Sequence, residues 1–243
     1  MIQYPNMKFV KESEYMKNSS ESYLVAALLS VTGGFLDAYT FISRDGVFAN
    51  AQTGNFARLA IYLAEGNWER VLRYFIPIFF FVIGVSVAMW ISRHAYASRF
   101  LCWQHYTLLL EIALLFAASW VPYGKISNIY ANLLVSFTCA IQAESFRKVL
   151  GTPFASTMCT GNLRNASEYL NQFFVEKEKG FLKKSIQYFG IDVLFVIGAV
   201  MGTVITKALQ IRATLCCCVI LGVVFLVIPR KEKITYRNTS SVQ

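Results

Sequence analysis

Four acidic side chains lie inside otherwise apolar stretches of the chain: Asp37, Glu111, Glu144 and Asp192. An ionisable residue in the hydrocarbon of a membrane costs about 2.5–3.5 kcal/mol on insertion scales, so such residues usually face a cavity or a partner. A carboxyl group in this position has two chemical uses, because it can bind a polar solute or carry a proton. We therefore take the four acids as the first candidates for function.

Two of these acids have a structural alternative in the sequence. The carboxylate of Asp37 has the backbone or Arg44 as a partner at the end of its helix. Glu144 is followed by Arg147 at helical pairing distance, so a local ion pair is as good an interpretation as a functional role.

Two Thr-Gly-Asn tripeptides, Thr53-Gly54-Asn55 and Thr160-Gly161-Asn162, lie 107 positions apart. Each precedes a run that is compatible with a helix, and Thr or Asn is a favourable N-cap. Glycine allows a ligand to approach the backbone closely. A helix that begins inside the protein directs unpaired N–H groups at a polar or anionic group. We predict that the tripeptides meet Asp37 and Glu144 around a polar substrate site; the alternative is that they are only helix caps at the membrane surface.

Metal and nucleophilic chemistry are not predicted. The six cysteines form no C-x-x-C pair and no Cys/His ligand array, and three of them are consecutive in one apolar stretch. The only histidines are His94 and His105, and H-E-x-x-H, G-x-S-x-G and phosphate-loop motifs are absent from the sequence. We predict no metal site, no cofactor and no enzymatic activity.

The elements that position these residues are apolar helices. Of the 243 residues 56% are hydrophobic and 15% charged, whereas soluble domains carry roughly a quarter charged residues. The sequence predicts an all-α membrane bundle over 23–229, between a polar lead at 1–22 and a polar tail at 230–243. Six stretches are long enough to span a bilayer: 24–42, 75–92, 100–121, 126–146, 185–206 and 213–229.

The two tripeptides belong to an internal repeat. Tyr62-Leu63 matches Tyr169-Leu170 in the same register, and after a shift of seven positions 81–84 matches 195–198 as Phe-Val-Ile-Gly. The predicted halves, about 23–121 and 124–229, hold three spanning helices each, together with a short re-entrant or interfacial Thr-Gly-Asn helix. An odd number of crossings makes the halves an inverted-topology repeat, as in many secondary transporters.

The distribution of basic residues predicts the orientation. With six crossings and the N-terminus inside, 16 of the 23 Lys and Arg residues fall on interior segments, so the positive-inside rule places both termini in the cytoplasm. If the two Thr-Gly-Asn segments also crossed, eight helices would form parallel repeats, and the charge rule does not separate the two counts. We favour six because 47–63 is short and polar.

The net charge of +9 indicates a membrane partner. The basic residues cluster beside apolar runs, at 177–184 and 230–233, where they meet anionic lipid head groups. No nucleic-acid motif accompanies the charge, so we predict the lipid bilayer and a small-molecule substrate as partners, and no nucleic acid. A homo-oligomer is compatible with the sequence.

These motifs resemble the YoaK-type family of bacterial multi-pass membrane proteins, a domain of unknown function numbered 1275. The first-half pattern is Gly-x-x-Asp-Ala-x-x-Phe at 34–41, then Gly-x-Phe at 46–48 and the first Thr-Gly-Asn. The second half matches at Gln142, Arg147 and the second tripeptide, which adds Gln142 to the site residues that the resemblance implies. Gln52 and Ala143 depart from the usual Met and Asn. The resemblance covers 22–229 and implies a six-helix inner-membrane protein, sometimes suspected of transport, without a known substrate.

A small-molecule transporter or permease is the function that best joins the repeat, the paired motifs and the embedded acids. A structural or regulatory membrane protein is the alternative, and a membrane-embedded enzyme is the weakest hypothesis because the usual hydrolase motifs are missing.

Overall fold

The computed structural model describes residues 22–95, 101–149, 152–153 and 158–229. In these residues the fold is helical, apart from two two-residue strands, β1 (Lys148–Val149) and β2 (Thr152–Pro153), which pair antiparallel. The prediction of an all-α membrane bundle is confirmed. Of the predicted polar lead only Ser22 lies among the described residues, and the predicted tail lies outside them.

Eight α-helices follow one another in the described part of the chain. They are α1 (Tyr23–Ser43), α2 (Gln52–Ala64), α3 (Trp68–His94), α4 (Trp103–Ala118), α5 (Lys125–Ser145), α6 (Cys159–Glu176), α7 (Lys179–Leu209) and α8 (Thr214–Val227), with a 3-10 turn at Gln210–Ala213 before α8.

Local signals in the sequence set several helix ends. The Ser22 hydroxyl accepts a hydrogen bond from the Val25 N–H at 3.3 Å and caps α1, and the Asn67 side chain caps α3 through the Arg70 N–H at 3.2 Å. Gln210 has φ 53°, a left-handed conformation that an L-residue cannot continue as a helix. The chain therefore breaks sharply between α7 and α8.

Four segments are long and apolar enough to cross a membrane: α1, α3, α5 and the run that contains α7 and α8. The helices α4 and α8 have 16 and 14 residues, about 24 and 21 Å at 1.5 Å per residue, against a hydrocarbon core of about 30 Å. Neither Thr-Gly-Asn helix, α2 or α6, is among the candidate spans. The chain is a membrane-type helical protein.

The helices have the same order in the two halves of the chain. A helix of 21 residues (α1, α5) is followed by a Thr-Gly-Asn helix (α2, α6), a long helix of 27 or 31 residues (α3, α7) and a short helix (α4, α8). Each of the four helices in one half thus has a counterpart in the other half.

Helices from the two halves pack closely against each other at glycines. The helix α1 packs against α7, and α3 packs against α5. A methyl group on Gly198 would overlap the backbone oxygen of Val31, and one on Gly202 would overlap that of Phe35. A methyl group on Gly84 would lie 2.7 Å from the Phe137 oxygen. Since the contacts advance together along both chains, from 31 with 198 to 35 with 202, α1 and α7 run parallel.

Counterpart helices that touch each other run antiparallel. The Gln142 amide, near the end of α5, donates to the Leu29 carbonyl early in α1 at 3.1 Å. Asn132, in the second turn of α5, donates to the Arg44 carbonyl just beyond α1 at 2.8 Å. The short helices are antiparallel too: Thr214 at the start of α8 donates to the Leu115 carbonyl near the end of α4, and Cys218, one turn later, donates to the Ile112 carbonyl, about one turn earlier.

The core lies around α1 and α5. In the apolar windows of these helices 67% and 56% of the residues are buried, against 22% in α3 and 28% in the run of α7 and α8. The apolar surfaces of the peripheral helices suit contact with lipid. The first helix of each half is therefore central, and this places the polar residues of α1 and α5 inside the bundle.

Candidate functional site

Asp37 holds the loop after α1 deep inside the bundle. Its carboxylate accepts a hydrogen bond from the Asn50 backbone N–H at 2.7 Å, and the Asn50 side-chain amide donates to the Gly33 carbonyl at 3.0 Å. The chain leaves α1 at Arg44 and is back beside Gly33 and Asp37 only six residues later. Segment 45–51 is therefore a re-entrant loop that returns along α1.

The helix α2 then runs back out along this loop. Asn55 accepts from the Phe48 N–H at 3.2 Å and donates to the Phe48 carbonyl at 2.7 Å and to Gln52 at 2.9 Å. One turn later the Arg58 guanidinium donates to the Gly46 carbonyl and lies over the Phe48 ring, with 5.6 Å from its central carbon to the ring centroid. Loop and helix form a hairpin whose tip, the start of α2, points into the bundle.

The glycine of the first tripeptide makes this hairpin tight. A methyl group on Gly54 would lie 3.2 Å from the Phe48 ring, so a larger residue would separate helix and loop. Thr53 is exposed on the opposite side of α2. In this conformation the tripeptide acts through its glycine and its asparagine, which build the hairpin.

A stripe of polar side chains on α5 supports the hairpin. Ser136 donates to the Ala49 carbonyl at 3.1 Å and Asn132 to the Arg44 carbonyl at 2.8 Å. Asn128 accepts from the Arg44 guanidinium at 3.0 Å. These residues are four positions apart and so lie on one helical face. Ser136 and Asn132 bond to backbone carbonyls of the loop, and Asn128 bonds to the side chain of Arg44 at its start. The buried polar stripe thus makes the re-entrant loop possible.

Arg44 closes the outer end of this arrangement although it is fully buried. Its guanidinium donates to the Tyr39 hydroxyl at 2.9 and 3.0 Å and to the carbonyls of Pro122 and Val121 at 3.1 and 2.7 Å. With the bond to Asn128, all five N–H donors have an acceptor. No carboxylate of the described residues pairs with Arg44. Its charge is stabilised by neutral hydrogen-bond acceptors, and it makes no ion pair with Asp37.

The second Thr-Gly-Asn helix is attached to α7 through Asp192. The Asn162 amide donates to the Asp192 carboxylate at 3.2 Å, and the Cys159 thiol is a further hydrogen-bond partner of this carboxylate. Ser185 donates to the Ala166 carbonyl at 2.8 Å, and α6 runs antiparallel to α7.

Asp37 on α1 interacts with residues before α2 and at the start of α6. Asp37 bonds to the loop just before α2, and its charge also acts on the Cys159 thiol at the start of α6. Two buried polar atoms in this region have no hydrogen-bond partner among the described residues, the Ser30 hydroxyl and the Asn50 side-chain oxygen. Ser30, Gly33 and Asp37 share one face of α1. The arrangement therefore offers unused hydrogen-bonding capacity beside this face of α1.

The predicted site residues divide into three groups. Asp37, Asn55, Gln142 and Asn162 are buried, and Asp37 makes the two interactions just described. Gly54 is half-buried in its hairpin, whereas Thr53, Thr160 and Gly161 are exposed. Glu144 pairs with Arg147 at 3.3 Å, the local alternative that the sequence suggested. Contact of these residues with a substrate stays a prediction.

Sequence reasoning missed the residues that hold the site together. Asn50, Ser136, Asn132, Asn128 and Arg44 were not singled out as site residues, although they carry most of the buried hydrogen bonds around the hairpin. The signal in α5 was present, because polar residues recur at 128, 132 and 136 in an apolar helix. The loop residue Asn50 had no such signal.

Comparison with known proteins gives a family and no activity. A family model described as a protein of unknown function, DUF1275, matches residues 25–227. No curated protein and no solved structure matches the chain.

Proposed function

We propose a transport function for this chain, which belongs to the DUF1275 family of proteins of unknown function. The cargo is a small polar solute, and its site lies between the starts of α2 and α6 on the Ser30–Asp37 face of α1. The observation that supports the proposal is the position of Asp37: its carboxylate is hydrogen-bonded to the loop before α2 and is within electrostatic range of Cys159 at the start of α6.

The relative directions of the helices support an inverted repeat. Counterparts α1 and α5 run antiparallel, and so do α4 and α8. Six crossings, three in each half, require counterpart helices to be antiparallel. Eight crossings, four in each half, would make counterpart helices parallel. In inverted-repeat transporters the substrate site lies near the midplane where discontinuous helices from the two repeats meet. Six crossings with two re-entrant helices fit that plan.

The groups at the site favour a cargo that donates hydrogen bonds. Asp37 has a carboxylate, and Asn50 and Ser30 have oxygen atoms without partners in the described part of the chain. The two arginines near the hairpin, Arg44 and Arg58, already donate hydrogen bonds to carbonyls at its outer end. Binding requires no metal, cofactor or covalent step, so the proposed activity is not enzymatic.

The proposed location is the bacterial inner membrane with both termini in the cytoplasm. The excess of basic residues on the segments assigned to the interior supports it. The re-entrant tip of α2 then enters from the outer side and that of α6 from the inner side. A carrier with such a site exposes it to each side in turn.

Accessibility of Ser30 from both sides tests the proposal without knowledge of the cargo. Ser30→Cys is introduced into protein whose six cysteines are replaced and whose thermal unfolding matches wild type. A membrane-impermeant cationic thiol reagent is then applied to right-side-out and inside-out vesicles. We expect labelling from both sides. Ser86→Cys, on the exposed face of α3, is the matched control and should react from neither side because it faces lipid.

The same experiment separates transport from a structural or regulatory role. A structural membrane protein keeps Ser30 sealed, so labelling from neither side contradicts the proposal. A thermal-shift screen of the purified protein against amines, amino acids, sugars, carboxylates and inorganic ions then identifies the cargo class, because a ligand that binds only the native state raises its apparent stability.

A further inference from the structure

Glu111 is a buried acid that makes no hydrogen bond with any described residue. It lies in the middle of α4, its exposure is 0%, and neither carboxyl oxygen has a hydrogen-bond partner in the described part of the chain. Asp37 and Asp192, in contrast, each hold a loop or a helix start. Native structures rarely leave a buried polar group unpaired, and functional groups are among the exceptions.

The surroundings of Glu111 are apolar. Leu108 and Leu115, one turn before and after it, are fully buried members of the main hydrophobic cluster. None of the ion pairs between described residues includes Glu111. An ionised carboxylate without partners is strongly disfavoured in such a medium, whereas the protonated form is not. Glu111 therefore rests with a proton, which it can lose only when water or a partner reaches it.

Glu111 shares a buried neighbour with Asp37, the acid of the proposed cargo site. The Cys139 thiol on α5 interacts with the carboxyl groups of both Glu111 and Asp37, and also with Cys217 on α8. Cys139 is thus a titratable group on α5 that interacts with Glu111. On α4 itself His105 packs edge-on against the Phe225 ring at 4.9 Å. Glu111 and Asp37 thus have a common buried neighbour, the Cys139 thiol.

We propose that Glu111 is the proton-binding site that couples proton movement to the alternation of the cargo site. Glu111 takes a proton from water on one side of the membrane, is neutral while the bundle changes state, and releases the proton on the other side. The inference rests on the proposed transport function and names its coupling ion. Since Glu111 supports no neighbour by a hydrogen bond, its replacement should alter coupling and leave the fold intact.

The test uses the accessibility of Ser30→Cys in the full chain, with the proton as the probe. In vesicles at a series of pH values the ratio of outside to inside labelling is measured. Each rate is divided by that of an exposed position on the same side, Lys125→Cys outside and Lys179→Cys inside, to remove the intrinsic pH dependence of thiol reactions. We expect the ratio to change at least several-fold with pH in the parent protein. In Glu111→Gln the ratio should be constant.

Two further variants complete the experiment. Glu168→Gln removes an exposed acid that pairs with Arg164 on α6 at 2.9 Å and should retain the pH response of the parent. Glu111→Met keeps the volume and removes all polarity; it should behave as Glu111→Gln and unfold at the same temperature as the parent or higher. Infrared difference spectra between acidic and alkaline pH should show a protonated-carboxyl band that both Glu111 variants lack.

The possible outcomes are distinguishable. Labelling of Ser30→Cys from neither side defeats the transport proposal itself. Labelling from both sides with an unchanged pH response in Glu111→Gln overturns only the role of Glu111, as does a carboxyl band that persists in both variants. If both variants fail to fold, Glu111 has a structural task and the inference is wrong.

Discussion

The Asp37 carboxylate and the Asn50 backbone N–H lie 2.7 Å apart, 13 positions apart in sequence, and their hydrogen bond fixes the depth of the re-entrant loop. A loop inside a membrane bundle is tolerated only where protein or water satisfies its backbone. Asp37, Ser136 and Asn132 provide those partners here. The bond joins the acid that the sequence singles out to a loop residue that it does not.

Replacement of Asp37 should separate its structural from its transport role. Asp37→Ala leaves the buried Asn50 N–H without an acceptor and should lower stability by about 1–3 kcal/mol. Asp37→Asn keeps an acceptor oxygen and should unfold near the wild-type temperature, yet it removes the charge at the site and should abolish binding of the cargo class found by screening. Thermal unfolding in detergent and ligand-induced shifts measure the two effects. Equal stability of both variants would contradict the assigned bond.

Asn55 should control the shape of the hairpin. Asn55→Ala removes three hydrogen bonds to Phe48 and Gln52, so the loop should separate from α2. We expect faster labelling of Ala49→Cys by a soluble thiol reagent, because Ala49 is fully buried in the intact hairpin. Asn171→Ala, at an exposed position of α6, is the control and should leave the rate unchanged.

The glycine contacts between α1 and α7 should be intolerant of a methyl group. In Gly198→Ala the new carbon meets the Val31 backbone, and overpacking of this kind costs about 1–3 kcal/mol. Gly222→Ala is the matched change, since nothing lies within 4 Å of its methyl position; it should be neutral or stabilising. Thermal unfolding compares them, and equal melting temperatures would show that the helices are less close than described.

Arg44 should not be replaceable by lysine. A lysine has a single nitrogen with three donors. It cannot replace the hydrogen bonds that the guanidinium makes to four residues, Tyr39, Val121, Pro122 and Asn128. We expect Arg44→Lys to be destabilised by more than about 2 kcal/mol, as when a buried network is broken. Arg70→Lys, at an exposed position, serves as the control. A chemical denaturation series reports both; a shift no larger than that of the control would disprove the network.

The orientation has a direct test. Single cysteines near Lys125 should react with an impermeant reagent in intact cells, whereas cysteines in either terminal segment should react only after the membrane is opened. A labelled terminus in intact cells rejects the proposed topology. Cysteines at 93–95 decide between six and eight crossings, because that segment is internal with six and external with eight.

The sequence alone determined the class of the protein and much of its organisation. Apolar runs of spanning length require helices because only helices satisfy their own backbone in hydrocarbon, so the all-α bundle followed from composition. The matched sequence segments in the two halves, which pair Gly84 with Gly198, predicted a common helix order. These properties are local or periodic, and a linear pattern records them directly.

Only the tertiary structure decided where the polar groups lie. Asp37 and Glu144 lie 107 positions apart, as the two tripeptides do, yet Asp37 holds a buried loop and Glu144 pairs with Arg147 at 3.3 Å, near the end of its helix. The tripeptides gave no sign that Thr53 is exposed and Asn55 buried, or that Asn50 joins the loop to α1. Hydrogen-bond partners of a loop come from distant elements, here α1 and α5, and their selection depends on how helices pack. The antiparallel course of α1 and α5 brings those partners together, and no spacing within a single helix encodes it.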